Sequence, residues 1–170
     1  LFFLCMFFWA IFDQKTSTWI YFADDYLDLN VFGTRIAPDR IQSLNPFFII
    51  LFVPIVNRIY AMLAARGYDI RPTNKMMVGF TLTAACMGLH AVIGYLAVNP
   101  DGSITRVSIA WQALAFVFLT LAEILISITG LELAFTAAPP SMKSFVTSRW
   151  LITVGLANLF INKPVTQMYP

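Results

Sequence analysis

Apolar residues along the chain come in five long runs, separated by shorter stretches that carry Pro, Gly, Asp and Arg. Each run has the length of roughly 20 residues that an α-helix needs to cross a hydrocarbon layer of roughly 30 Å. Helices satisfy their own backbone hydrogen bonds, so a chain with this pattern is predicted to be an all-α membrane protein. The pattern predicts one transmembrane domain over 1–170, with spans at about 1–22, 38–65, 75–98, 107–134 and 144–162.

The composition supports a membrane location. Hydrophobic residues make up 59% of the chain and charged residues 12%, against roughly 25% charged residues in ordinary soluble domains. The net charge of +2 is too small to indicate a nucleic-acid-binding surface. We therefore expect a multi-pass protein of the lipid bilayer, in the cell (inner or plasma) membrane, with no nucleic-acid partner, and not a soluble enzyme.

The residues that usually hold metals or form disulfides are few. Cys5 and Cys86 both fall inside apolar runs, which is typical of small buried hydrophobic residues rather than of a disulfide or a metal pair. His90, the one histidine, lies among small residues in the third span, and we interpret it as a packing residue. The sequence therefore predicts no metal site and no cofactor.

The two ends of the chain both lie in or beside apolar stretches. Leu1 falls in the middle of an apolar run, and Pro170 follows a hydrophobic segment. From this we expect an internal piece of a longer polytopic protein. The loops after the second and fourth spans carry slightly more Lys and Arg than the others, which predicts that the first span runs from the cytoplasm outward.

Ionisable residues at bilayer depth are the most informative ones, because each is costly there unless it faces protein or a water-filled cavity. Asp13 and Lys15 lie in the first span. They are two residues apart, so on a helix their side chains point in directions that differ by about 200°, and they do not form an intrahelical pair. Glu123 lies near the middle of the fourth span, and Ser127 follows one turn later on the same face. Glu123 is either a structural carboxyl that ties two helices together or a functional carboxylate in a cavity.

Four segments of the chain resemble the proton-coupled oligopeptide transporter (POT) family of the major facilitator superfamily. Their order and spacing are similar to those of helices seven to eleven of a twelve-helix carrier. The resemblance therefore implies about five transmembrane helices of the C-terminal six-helix half. The segments are 8–14 (FWAIFDQ), 41–46 (IQSLNP), 122–132 (AEILISITGLE) and 138–144 (APPSMKS).

The resemblance implies a cavity between two six-helix halves in which di- and tripeptides are bound and carried together with protons. In this pattern Glu123 contacts the peptide amino terminus with help from Asn45, Ser127 lies beside Glu123, and Trp150 lines the pocket. Asp13 takes part in gating and, with Glu123, in proton coupling. The partners implied are a peptide, protons, the lipid bilayer and the N-terminal half, without which these five helices are expected to transport nothing.

Two other functions stay open at this point. One is a major facilitator carrier of a non-peptide solute such as nitrate or a drug, although the mainly acidic residues at bilayer depth disfavour an anion. The other is a non-transporting membrane subunit that uses these helices only for packing. A shared concave surface formed by Asp13, Asn45, Glu123, Ser127 and Trp150 would favour a carrier.

Overall fold

The computed structural model describes residues 2–31, 33–68 and 70–168. The first position of the predicted first span, residue 1, lies outside the described residues. The α-helices are α1 (Phe2–Asp13), α2 (Thr18–Tyr26), α3 (Leu44–Ala65), α4 (Pro72–Ala97), α5 (Ala110–Glu123), α6 (Thr129–Thr136), α7 (Lys143–Ala157) and α8 (Lys163–Met168). Shorter 3₁₀ turns lie at Gln14–Thr16, Pro38–Ser43 and Pro140–Met142, and π-helical turns at Ile124–Ile128 and Asn158–Asn162.

Within the described residues, four continuous helices are long and apolar enough to cross a membrane. They overlap the predicted second to fifth spans, with ends that differ by a few residues. Prolines begin several of these helices, which suits a residue that lacks a backbone N–H. The four helices are Pro38–Ala65, Pro72–Ala97, Ala110–Thr136 and Pro140–Gln167.

The first predicted span is not one continuous helix. The backbone leaves helical geometry at Ser17, with φ −132° and ψ −93°, and α2 begins at the next residue. Hydroxyl side chains compete for backbone carbonyls and so weaken a helix locally, and here the Thr16 hydroxyl donates to the carbonyl of Asp13 over 2.8 Å. The run Thr16–Thr18 therefore accounts for the break, and the polar side chains around it point in different directions.

A Schellman motif ends α3 and turns the chain toward α4. Gly67 adopts φ 83°, a left-handed conformation that glycine tolerates best. Its N–H donates to the carbonyl of Ala64 over 2.9 Å, and the N–H of Tyr68 donates to that of Leu63 over 3.0 Å. These bonds satisfy two of the carbonyls that a helix end leaves free.

Helices α4 and α5 form the tightest part of the core. The Cys86 thiol donates to the carbonyl of Ala115 over 3.3 Å, and Gly79 lets Ile126 approach the α4 backbone closely. Small residues at helix contacts permit this kind of approach in membranes. Cys5 and Cys86 are both buried and free, as the sequence predicts.

His90 packs against aromatic rings. Its ring lies 4.1 Å from that of Trp19 and 5.4 Å from that of Phe22, centroid to centroid. Its Nδ1 lies 3.1 Å from the carbonyl oxygen of Cys86. This arrangement agrees with the predicted packing role.

Short strands fix the loop that follows α2. Strand β1 (Leu27–Asp28) pairs in parallel with β4 (Val107–Ser108), just before α5. Strand β2 (Asn30–Val31) pairs antiparallel with β3 (Thr34–Arg35). The parallel pair holds the end of α2 beside the start of α5, and so sets the position of the broken first span against the fourth.

Candidate functional site

Polar side chains from three separate segments meet where α3 begins and α5 ends. Asn45, in the first turn of α3, is only 4% exposed. Its Nδ2 donates to Glu123 Oε2 over 2.8 Å and to Thr120 Oγ1 over 3.2 Å. Its Oδ1 accepts a hydrogen bond from the Nζ of Lys15. We call Lys15, Asn45, Thr120 and Glu123 the Asn45 cluster.

Each member of the Asn45 cluster has a polar partner within apolar surroundings. An amide has two N–H donors and one carbonyl acceptor, and Asn45 uses its donor nitrogen toward α5 and its acceptor toward Lys15. Thr120 is fully buried, whereas Glu123 and Lys15 are half-buried. Buried polar groups are costly when they lack partners, so these bonds fix the relative position of α3 and α5.

Lys15 is the cation of the cluster. It lies in the 3₁₀ turn between α1 and α2, and its Nζ is 3.4 Å from the centroid of the Phe12 ring. The ammonium also interacts electrostatically with the carboxylates of Glu123 and Asp13. The described residues contain no direct Lys15–Glu123 ion pair, because the Asn45 amide lies between the two charges.

Asp13 belongs to a different network. Its Oδ2 accepts a hydrogen bond from Asn158 Nδ2 over 2.6 Å, and Asn162 Nδ2 donates to Asn158 Oδ1 over 2.9 Å. Gln14 completes this network, since its Nε2 donates to Asn162 Oδ1. The two breaks in helical geometry, at Gln14–Thr16 and at Asn158–Asn162, are thus joined by side-chain amides.

A polar cavity of about 480 Å³ opens beside this second network. Asp13 lines it, together with Thr16 and Ser17 from the first span. Asn158, Lys163 and Thr166 from the end of the chain also line it. Its charged and amide-bearing walls can hold water, so Asp13 faces a polar space.

Ser127 and Trp150 lie beyond the Asn45 cluster, on the continuation of α5 and on α7 respectively. Ser127 falls in the π-helical turn that follows Glu123 directly, and its hydroxyl is buried with no hydrogen-bond partner among the described residues. Trp150 is 3% exposed, and its indole lies against the backbone of Gly130. Single π-helical turns inside α-helices are frequently found at functional sites.

The structure therefore brings some of the predicted site residues together and separates others. Asn45 and Glu123 are in direct contact. Asp13 points away from them to Asn158. Trp150 packs against Gly130, which follows Glu123 by seven residues in the chain. The substrate-binding and gating roles of these residues stay predictions.

Sequence reasoning gave no site role to three groups that the structure places in the networks. The sequence identifies Lys15 only as a cation within the first span, although such a cation needs a partner. Thr120 lies three residues before Glu123, which puts both on one helix face. Asn158 and Asn162 are four residues apart in an apolar run, and that spacing is a signal for a polar stripe.

Comparison with known proteins identifies the family. The family model described as the POT family matches residues 1–169. The chain belongs to the POT family. Its all-α membrane fold is that of the POT transporters, which are multi-pass membrane proteins.

Individual relatives agree with the POT assignment. The chain is 31% identical over 153 residues to the peptide transporter YePEPT of Yersinia enterocolitica, a match that covers 90% of this chain and 30% of that protein. It is 31% identical over 180 residues to a probable peptide transporter of Schizosaccharomyces pombe, covering 95% of this chain and 28% of that protein. The chain thus spans less than a third of the length of these relatives.

A solved structure is similar over the whole of this POT chain. It is the crystal structure of a mutant of the peptide transporter POT in complex with alafosfalin. The TM-score is 0.86 at 26% sequence identity, and the match covers 100% of this chain and 33% of that one.

Proposed function

We propose that this chain forms the seventh to eleventh helices of a proton-coupled carrier of di- and tripeptides. The Asn45 cluster supports the proposal most directly, because it presents a carboxylate that is oriented by an amide at bilayer depth. A carboxylate that is partly removed from water prefers neutrality unless a cation comes close, and a peptide ammonium is such a cation. Relatives named as peptide transporters support the same substrate class.

In this proposal the Asn45 cluster binds the peptide amino terminus. Glu123 supplies the negative charge, and Asn45 holds it in place through the 2.8 Å hydrogen bond. Ser127 lies in the π-helical turn after α5, and Trp150 lies on α7. Both line the space for the rest of the peptide in this proposal. Binding a proton or an ammonium at Glu123 then changes which conformation of the cavity is favoured, as alternating access requires.

Asp13 is assigned to gating and proton coupling. It lies in a polar cavity, separate from the Asn45 cluster, and bonds across to Asn158 on the last span. A proton on Asp13 would remove the charge that accepts this hydrogen bond and so loosen the contact between the first and last spans. The bilayer, protons and an N-terminal six-helix half are the partners that the proposal requires.

The carrier is not an enzyme in this proposal, because the peptide crosses unchanged. The proposal assigns no role to a metal or cofactor. Alternating access rocks one half of a carrier against the other around a central site. The five helices expressed alone are therefore expected to insert in a membrane without transporting a peptide.

Uptake by the full-length carrier in liposomes tests the proposal. With the outside more acidic than the lumen, a labelled dipeptide is expected to accumulate inside above its external concentration. A protonophore should abolish the accumulation, and unlabelled tripeptide should compete with it. Uptake of nitrate with no uptake of dipeptide would show instead that this protein is a carrier of a non-peptide solute.

The Ser127→Ala variant is expected to have a mild effect. A neutral hydrogen bond contributes about 0.5–1.5 kcal/mol net, so the apparent KM for dipeptide should rise by no more than about tenfold. The variant should fold normally, because the hydroxyl it loses is buried without a described partner. Dipeptide uptake kinetics and thermal melting of the purified carrier would measure both effects.

Ser148→Ala is the matched control for this change. Its hydroxyl is exposed and donates to the carbonyl of Ser144 over 2.7 Å on its own helix. Its KM should equal that of the wild type. A larger KM increase in Ser148→Ala than in Ser127→Ala would contradict the placement of Ser127 beside the substrate.

A further inference from the structure

The ammonium group of Lys15 lies in the Asn45 cluster, to which the proposed function assigns the substrate amine. Three kinds of group surround it: the carbonyl oxygen of Asn45, the ring face of Phe12 and the negative charge of Glu123. A carbonyl acceptor, an aromatic face and a carboxylate together recognise a primary ammonium. The site is therefore built for an ammonium group and is filled from within the chain.

We propose that Lys15 is an internal competitor of the substrate, whose ammonium occupies the amine-binding position of the Asn45 cluster until a peptide amino terminus displaces it. The proposal rests on the proposed peptide-binding function and adds a residue that sets the affinity for substrate. It also explains how the empty carrier avoids an uncompensated carboxylate at bilayer depth, where unpaired charges are costly.

The geometry allows a peptide amine to replace the Lys15 ammonium, because Asn45 is held rigidly whereas Lys15 can move. Asn45 is almost completely buried and is bonded to both Thr120 and Glu123, so the acceptor side of the site is rigid. Lys15 is half-buried and lies in the 3₁₀ turn that interrupts the first span. Its flexible four-carbon stem can withdraw without moving a continuous helix.

The indirect hold on Glu123 also favours displacement. The Lys15 ammonium bonds to Asn45 and does not form a direct ion pair with Glu123 in the described part of the chain. A free peptide amine that reaches Glu123 itself would gain a direct charge-assisted hydrogen bond, which is stronger than a neutral one. The substrate can thus form an interaction that Lys15 leaves unused.

Removing this competitor should tighten substrate binding. A site that is free only a fraction of the time has an apparent dissociation constant raised by the inverse of that fraction, so occupancy of about 90% by Lys15 weakens binding about tenfold. In the full-length carrier, Lys15→Gln is expected to bind Ala-Ala about tenfold more tightly than the wild type by calorimetric titration. Lys15→Met, which keeps an unbranched apolar side chain but removes the charge, should give the same gain and serves if glutamine impairs folding.

Lys75→Gln is the matched control, because it removes another cation that lies over an aromatic ring. Lys75 Nζ is 4.4 Å from the centroid of the Tyr60 ring, in the first turn of α4 rather than beside the Asn45 cluster. Its dipeptide affinity should equal that of the wild type.

The N-acetylated dipeptide separates competition from a general effect on structure. It has no ammonium to replace that of Lys15, so neither Lys15 variant should bind it more tightly. Equal or weaker Ala-Ala binding in both Lys15 variants, or an equal gain for the acetylated peptide, would overturn this inference alone. Absence of Ala-Ala binding in the wild type would overturn the proposed function and this inference with it.

Discussion

The Glu123→Gln variant of the full-length carrier is expected to lose most proton-driven dipeptide uptake while still folding and inserting in the membrane. Glutamine keeps the volume and one oxygen that can accept from Asn45 Nδ2, so the contact between α3 and α5 survives. The variant loses the charge that attracts an ammonium. Hydrogen bonds to charged groups contribute about 1.5–3 kcal/mol, which corresponds to a loss of about 10- to 100-fold in uptake efficiency.

Glu132→Gln makes the same chemical change nine residues further along the same helix. Glu132 is exposed. Dipeptide uptake by the Glu132→Gln variant is expected to match that of the wild type. Initial rates of labelled dipeptide uptake in liposomes, normalised to the amount of folded carrier, would compare the two variants. Accumulation against a gradient by Glu123→Gln at the wild-type rate would show that Glu123 does not bind the substrate amine.

The Gly130→Ala variant is expected to be destabilised and to lose uptake because of the tight contact with Trp150. A Cβ atom at Gly130 would lie 2.6 Å from Cζ3 and 2.7 Å from Cζ2 of the buried indole. The rigid ring cannot yield as the end of a flexible side chain would. Overpacking costs about 1–3 kcal/mol, and the close approach to a rigid ring places this site toward the upper end, so the cost outweighs the gain of about 1 kcal/mol that alanine brings to a helix.

Gly155→Ala is the control for Gly130→Ala, since a Cβ atom there meets nothing within 4 Å. It should melt at or slightly above the wild-type temperature. Adding Trp150→Leu to Gly130→Ala should recover stability, because the two positions share one contact and their effects are not additive. Uptake should not recover if Trp150 lines the peptide pocket. A stable Gly130→Ala carrier with normal uptake would contradict the placement of Trp150.

Long apolar runs predict long helices because the physical signal is strong. Four continuous membrane-length helices coincide with apolar runs, with ends such as Ala65 and Ala97 close to those expected. The break in the first span was not predicted, although Thr16, Ser17 and Thr18 are residues whose hydroxyls weaken a helix. The sequence does not predict the π-helical turn after Glu123 either, since such turns are rare and occur as single turns inside otherwise regular helices.

The directions of the polar side chains were only partly predictable. The two-residue spacing of Asp13 and Lys15 indicates opposite directions, and the structure places Asp13 at Asn158 and Lys15 at Asn45. The contact between Asn45 and Glu123 depends on how α3 packs against α5, and no local pattern encodes it. The resemblance to the POT family was needed to choose this pair from the sequence.

A structure of the full-length carrier with a bound dipeptide would show directly whether Glu123 binds the peptide amine. We expect the peptide ammonium to lie about 2.7–2.9 Å from a carboxylate oxygen of Glu123, as in a charge-assisted hydrogen bond. We also expect Asn45 to remain in contact with Glu123 and the Lys15 ammonium to have left Asn45. A dipeptide whose amino terminus lies away from Glu123, with Lys15 still bonded to Asn45, would contradict the peptide-binding role of Glu123 and the displacement of Lys15.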